Sequence, residues 1–195
     1  PAGSLHDTIT FASCVVCPPS STVLAVELDS ALGPLQVHAS DGGSITIIGS
    51  SPNRSSEWLP IDGQNATSIF DIQGTVNLSG IEVTHSNSTA ITSRNANLTI
   101  ENSLLTNNQG GAIYHSVGGS LTIRDSVLRN NENAADGGAI SISSSDANPA
   151  NVMIMDTSIV ENQSAEDGGE ISNQHGRVSV LRSEISDNVA LGAGG

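Results

Sequence analysis

The sequence predicts an all-β chain that folds as a single-domain parallel β-helix (a β-solenoid) with coils of about 22–31 residues. Three observations predict this fold. A block of twelve residues is repeated, apolar and polar residues alternate within each copy, and aromatic residues make up only 2 % of the chain. A core built on aromatic side chains is therefore excluded, and aliphatic side chains in short strands must supply the buried area.

The repeated block has constant features and is joined by loops of different length. Each copy carries an apolar-x-apolar pair, a small hydroxyl residue, a further apolar residue and a final asparagine. Constant blocks with variable loops are typical of solenoid repeats. The clearest copies span residues 97–108, 120–131, 151–162 and 177–188.

The apolar residues recur every second position rather than every 3.6 positions, which predicts strands and no helix. Residues 1–43 hold short apolar runs between Pro and Gly pairs, and we interpret them as irregular N-terminal or capping coils. Residues 44–195 form the regular repeats. A second strand in each repeat is predicted after a Gly pair, at Gly110-Gly-Ala-Ile113, Gly137-Gly-Ala-Ile140 and Gly168-Gly-Glu-Ile171.

Stacking of such coils places equivalent residues side by side, about 4.8 Å apart. The alignment predicts apolar columns inside, one of them formed by Leu98, Leu121, Val152 and Val178. It also predicts an asparagine ladder, in which side-chain amides hydrogen-bond along the stack and satisfy the turn backbone. The ladder residues are Asn108, Asn131, Asn162 and Asn188.

The repeats from Leu98-Thr-Ile100 to Ile171 resemble those of pectin-lyase-like right-handed parallel β-helices. Within that group, the Gly-Gly-Ala-Ile and Asn repeats are similar to polymorphic outer-membrane proteins and related surface adhesins. The resemblance covers roughly residues 44–195. It implies a right-handed coil and an extracellular or cell-surface location, while the fold itself hosts lyases, hydrolases and adhesins alike.

The net charge of −14 disfavours binding to nucleic acid or to anionic membranes. No apolar run approaches the roughly 18 residues of a membrane span. The acidic residues Asp136, Asp167 and Glu170 form a weak candidate for Ca²⁺ binding, with Glu170 expected to face outward beside the other two. A solvated acidic loop is the favoured interpretation, so we expect no metal and no cofactor.

Covalent modification is predicted at two kinds of residue. Cys14 and Cys17 are expected to form a small disulfide, because a single CxxC lacks the second pair of a zinc site. N-linked glycans are expected at accessible Asn-x-Ser/Thr sites, but not at Asn162, which the ladder would bury. The candidate glycan acceptors are Asn53, Asn65, Asn77, Asn87 and Asn97.

The chain begins at Pro1, as expected of a processed form or a fragment.

Catalysis is not expected. Polysaccharide hydrolysis needs paired carboxylates, and elimination needs a base with Ca²⁺-binding acids. Asn-Gln-His175-Gly lacks the motifs that accompany the catalytic His of polygalacturonase-like enzymes. Two hypotheses remain. The first is an extracellular structural or adhesive protein, which self-associates through its coil ends as a filament subunit or continues in a longer chain. The second is a carbohydrate-active enzyme or carbohydrate-binding module.

Overall fold

The computed structural model describes residues 6–10, 26–28, 31–39, 42–49 and 58–192. Within these ranges there is no helix, and so none that could cross a membrane. The strands, in chain order, are β1 (His6–Thr10), β2 (Val26–Glu27), β3 (Leu35–His38), β4 (Ser44–Ile48), β5 (Leu59–Asp62), β6 (Phe70–Ser79), β7 (Ile81–Thr84), β8 (Ile91–Glu101), β9 (Leu104–Thr106), β10 (Ile113–Arg124), β11 (Val127–Arg129), β12 (Glu132–Asn133), β13 (Ile140–Ser143), β14 (Asn151–Met155), β15 (Ser158–Val160), β16 (Gln163–Ser164), β17 (Ile171–Gln174), β18 (Arg177–Leu181), β19 (Glu184–Ser186) and β20 (Val189–Ala190).

The strands form three sheets, and every pairing between the described strands is parallel. The long sheet has 10 strands, and its main path runs β1-β4-β6-β8-β10-β13-β17, with β3, β14 and β18 paired beside it. The second sheet has 7 strands in the order β19-β15-β11-β9-β7-β5-β2. The third sheet has 3 strands, β12-β16-β20. Successive repeats therefore add strands to the same sheets, so strands distant in sequence become neighbours.

The strand register follows the repeat. Leu121 pairs with Leu98 on one side and with Val152 on the other, and Val152 pairs with Val178. The predicted apolar columns are confirmed by these pairings. Leu98, Leu121 and Val152 are no more than 3 % exposed, and the next column inside, which contains Ile123, is equally buried. Burial of stacked aliphatic side chains supplies the core without aromatic residues.

The long loop that follows β13 changes the local pairing without shifting the columns. In the preceding repeats one continuous strand, such as β10, spans both halves of the long sheet, whereas here β13 and β14 are separate strands. The inserted loop contains an isolated antiparallel bridge between Ser145 and Asn148. The insertion is exposed, its Asn148 Nδ2 donates to Val117 O, and the next block returns to register.

The main chain of Glu170 continues a line of hydrogen bonds through the preceding repeats. Its carbonyl accepts hydrogen bonds from Ala139 N and Ile140 N, at 3.0 and 2.9 Å. Ala139 in turn accepts from Ala112 N and Ile113 N, and both alanines are completely buried. The main chain of Glu170 thus occupies the position that the two buried alanines hold in the preceding repeats, and the residue is half-buried.

Candidate functional site

The four asparagines of the ladder come together at one corner of the stack. Asn108, Asn131 and Asn162 are each 1 % exposed. The Nδ2 atom of each donates to the Oδ1 atom of the asparagine in the next repeat, at 2.9 Å in every case. The structure thus places Asn108, Asn131, Asn162 and Asn188 in one continuous hydrogen-bonded line.

Each ladder amide also binds the main chain of the preceding repeat. Asn131 Nδ2 donates to Leu105 O at 3.0 Å, and Asn162 Nδ2 donates to Leu128 O at 3.0 Å. The Oδ1 atom of Asn131 accepts from Asn108 N at 3.3 Å. One asparagine therefore satisfies donors and acceptors of its neighbours that would otherwise be buried without partners, a situation that costs free energy.

A second polar ladder, the hydroxyl ladder, lies at the opposite end of the strands of the second sheet. Ser126 Oγ donates to Arg124 O at 2.7 Å and accepts from Ser103 N at 3.2 Å. The same bond to the carbonyl two residues earlier is made by the other three members. The members of this ladder are Ser103, Ser126, Thr157 and Ser183.

Left-handed backbone at both corners turns the chain between sheets. The residue before each ladder asparagine has a φ of 52° to 56°. Asn and Asp tolerate this conformation better than other residues that carry a side chain, because their short polar side chains bond locally. Glu161, with φ 56°, lacks that advantage. The four residues at this corner are Asn107, Asn130, Glu161 and Asp187.

The candidate glycan acceptors differ in accessibility. Asn65 and Asn87 lie in exposed loops, and Asn97 is exposed on β8, where its Oδ1 accepts from Ser120 Oγ at 2.9 Å. Asn77 is half-buried in the middle of β6. Asn162 is buried in the ladder. Asn53, Cys14 and Cys17 lie outside the described residues.

The acidic residues proposed for Ca²⁺ are not arranged as a metal site. Asp136 Oδ1 accepts from the Asp167 main-chain N at 2.9 Å, so this carboxylate is used in a loop hydrogen bond. Glu170 takes the position of the two alanines described above. Among the described residues, no group of three or more His, Cys, Asp or Glu side chains could hold a metal ion.

A shallow open groove runs across the corner that carries the hydroxyl ladder. Arg182 crosses it and donates to both carboxylate oxygens of Asp156, at 2.8 and 2.7 Å. These hydrogen bonds lower the pKa of the Asp156 carboxyl. The arrangement neutralises the repulsion expected between Asp156 and the neighbouring Asp125. The groove is lined by Asp125, Ser126, Val127, Asp156, Thr157, Ser158, Arg182 and Glu184.

The described histidines occupy different environments. His85 Nδ1 lies 3.1 Å from Asp62 Oδ2, and His175 Nδ1 lies 2.8 Å from Asp146 Oδ1; both imidazoles are about half exposed. His115 is completely buried and contacts Ser93 Oγ at 3.1 Å. The burial of His115 could be inferred from the sequence only through its position two residues after Ile113.

Comparisons of the chain with protein-family models, with curated proteins and with solved structures gave no match.

Replacing Asn131 by Ala is expected to lower the free energy of unfolding by about 3 kcal/mol, because buried groups of both neighbouring repeats lose their partners. The urea midpoint measured by circular dichroism checks this. Asn97→Ala is the control, since it removes one exposed hydrogen bond and should change stability by less than about 0.5 kcal/mol. Equal effects of the two substitutions would contradict the structural role of the ladder.

Replacing Glu161 by Asn is expected to raise the free energy of unfolding by about 0.5–1 kcal/mol, because Asn adopts left-handed backbone at lower cost. Thermal melting followed by circular dichroism measures the change. Glu132→Asn is the matched control, since Glu132 is also exposed but does not have a positive φ. A Glu161→Asn variant no more stable than the parent chain would show that the corner is not strained.

Expression in a glycosylating host should leave Asn162 without a sugar, because its amide donates within the buried ladder and cannot reach a glycosyltransferase. Asn65 and Asn87 are the best acceptors, since both lie in exposed loops. Mass spectrometry of glycopeptides measures occupancy at each site. Detection of a glycan on Asn162 in folded protein is incompatible with the buried ladder.

Proposed function

We propose that this chain is a right-handed parallel β-helix with a structural or adhesive role outside the cell, similar to surface adhesins of the pectin-lyase-like group. The observation that carries the proposal is the in-register stacking of repeats on parallel neighbours. Each repeat retains an asparagine that binds the main chain of an adjacent repeat. These asparagines form a line along the stack and do not converge on a reaction centre. A scaffold of this kind keeps its outer surface free for contact with other molecules.

The uniform columns of the interior support a role as a load-bearing rod. Ile100, Ile123 and Ile154 lie in one column, each of them is completely buried, and the next repeat continues the column with Val180. Each repeat contacts its neighbours through the same aliphatic columns and the same polar ladders. Stability in such a stack is approximately the sum of repeat and interface contributions, so it does not depend on one central core.

The surface supports an extracellular location. The exposed loops that carry Asn65 and Asn87 are accessible to N-glycosylation. The net charge of −14 keeps such a surface soluble and repels nucleic acid. The few arginines that the structure describes are largely engaged with carboxylates, as in the pairs of Arg94 with Asp71 and of Arg124 with Glu101.

The open strand edges of the last described repeat support pairing with a further repeat, supplied by a second copy of the chain or by a continuation of the same chain. Strands β17, β18, β19 and β20 each pair on one side only among the described strands. The apolar columns continue into this last repeat, where Val180 and Ile185 are each 40 % exposed and Val189 is 48 % exposed. An open edge with apolar side chains is a template for strand pairing. Head-to-tail pairing of copies need not close, and it would produce a filament.

Light scattering coupled to size exclusion, together with negative-stain imaging, tests the assembly. We expect the mass of the parent chain to rise with concentration and rods to appear. The double substitution Val180→Lys and Ile185→Lys should abolish both, because charged side chains would lie on the pairing surface. Met153→Lys is the control, since Met153 is 41 % exposed on β14, which is paired on both sides.

A strictly monomeric parent chain at high concentration would reject self-assembly and leave the adhesive role to be tested separately. Binding to an array of cell-surface glycans and proteins tests that role, with the folded Asn65→Gln and Asn87→Gln variant as control for effects of the chain's own sugars. Chain cleavage of a bound polysaccharide would instead favour the alternative, a carbohydrate-active enzyme or binding module. Loss of that activity in Asp136→Ala or Asp167→Ala would identify the acids involved.

A further inference from the structure

The long sheet carries a buried histidine that neither the fold argument nor the proposed function uses. His115 lies on β10 and is completely buried. It pairs with Ser93 on β8 and with Ile142 on β13, and Ile72 continues the same column beyond Ser93. All three neighbours are themselves no more than 1 % exposed. His115 is the single titratable side chain classed as buried in the described part of the chain.

The ring of His115 is only partly satisfied by hydrogen bonds. Its Nδ1 atom lies 3.1 Å from Ser93 Oγ. Its Nε2 atom is buried and has no hydrogen-bond partner in the part of the chain that the structure describes. A neutral ring leaves one nitrogen unpaired, which already costs free energy, and a protonated ring would add a buried charge at a much greater cost.

On the described strands that pack around His115, no charge is placed to compensate a proton on the ring. The strands packed against β10 are β8, β13 and β14, and the last two carry no charged residue. On β8 the charged residues are Arg94 and Glu101, and on β10 itself Arg124. Arg94 binds Asp71, Arg124 binds Glu101, and all of these side chains are partly exposed on the outer surface.

We propose that His115 is an acid-sensitive switch inside the stack: protonation of its ring separates β10 from β8 and β13 and opens the repeats around it. The device acts on the scaffold itself, so it holds whether or not the chain is an adhesin. Its trigger is the mildly acidic range in which free histidine takes up a proton. Acidification would thereby loosen the middle of the stack.

The direction of the pH effect follows from proton linkage. Burial lowers the pKa of His115 below its ordinary value of 6.5, and the main chain of Gly118 offsets part of this effect. The unfolded chain therefore binds the proton more readily than the folded chain. Below pH 6.5 the unfolded state gains relative stability, so the contribution of the neutral buried ring is present above that pH and is lost as the pH falls.

Thermal melting between pH 7.5 and pH 5.0 tests the switch in the intact chain. The His115→Gln variant has an amide that can bond Ser93 and does not titrate. We expect the melting temperature of the parent chain to fall by about 5 °C more than that of His115→Gln over this range. His175→Gln is the control, because it removes an exposed histidine and leaves His115, and with it the larger fall, in place.

Equal pH dependence in the parent chain and His115→Gln would overturn the proposal. NMR titration of the parent chain decides the matter independently if His115→Gln fails to fold. We expect the ring protons of His115 to show no titration in the folded signals near pH 6.5 and to disappear as the stack opens. A normal titration of His115 in protein that stays folded would also overturn the proposal.

Discussion

The hydrogen bonds of the asparagine ladder are the interaction on which the rest of the structure depends. A parallel stack needs a sharp corner in every repeat, and such a corner leaves main-chain N–H and C=O groups buried without strand partners. The amides of Asn131 and Asn162 bind these groups in the preceding repeat, and each amide also donates to the asparagine side chain of the following repeat. Because the distance between successive amides must equal the spacing of the strands, the ladder fixes the register of every other column.

The register explains how a chain with so few aromatic residues forms a core. Once equivalent residues are neighbours, aliphatic side chains of similar size pack directly on one another, and each column needs no more than Val, Ile or Leu. The hydroxyl ladder, which contains Ser126, binds main-chain groups at the other corner with a smaller side chain. The loops between blocks contribute little to the register or to the core, so they tolerate the insertion between β13 and β14.

The repeated use of the same few side chains also affects what the protein can do. Polar groups in the interior are committed to holding repeats together, and the exposed faces carry hydroxyl, amide and paired charged groups along a continuous surface. The proposed adhesive or self-associating role would use this surface. His115 is the exception inside the stack, since it is the place where an apolar column holds a group whose charge depends on pH. A scaffold of this kind can combine stiffness at neutral pH with a defined point of weakness in acid.

The sequence by itself determined the repeat, the strand period, the apolar columns and the line of asparagines, because stacking in register turns sequence alignment directly into spatial contact. Only the tertiary structure decided which individual departures from the pattern are buried. Glu170 takes the position that Ala139 holds in the preceding repeat, because its carbonyl accepts hydrogen bonds from Ala139 N and Ile140 N, and it is half-buried there. Glu161 adopts left-handed backbone because the turn at this corner requires it. His115 is buried because it is paired between Ser93 and Ile142. Local residue type could not foretell these outcomes, as neighbours from distant repeats impose them.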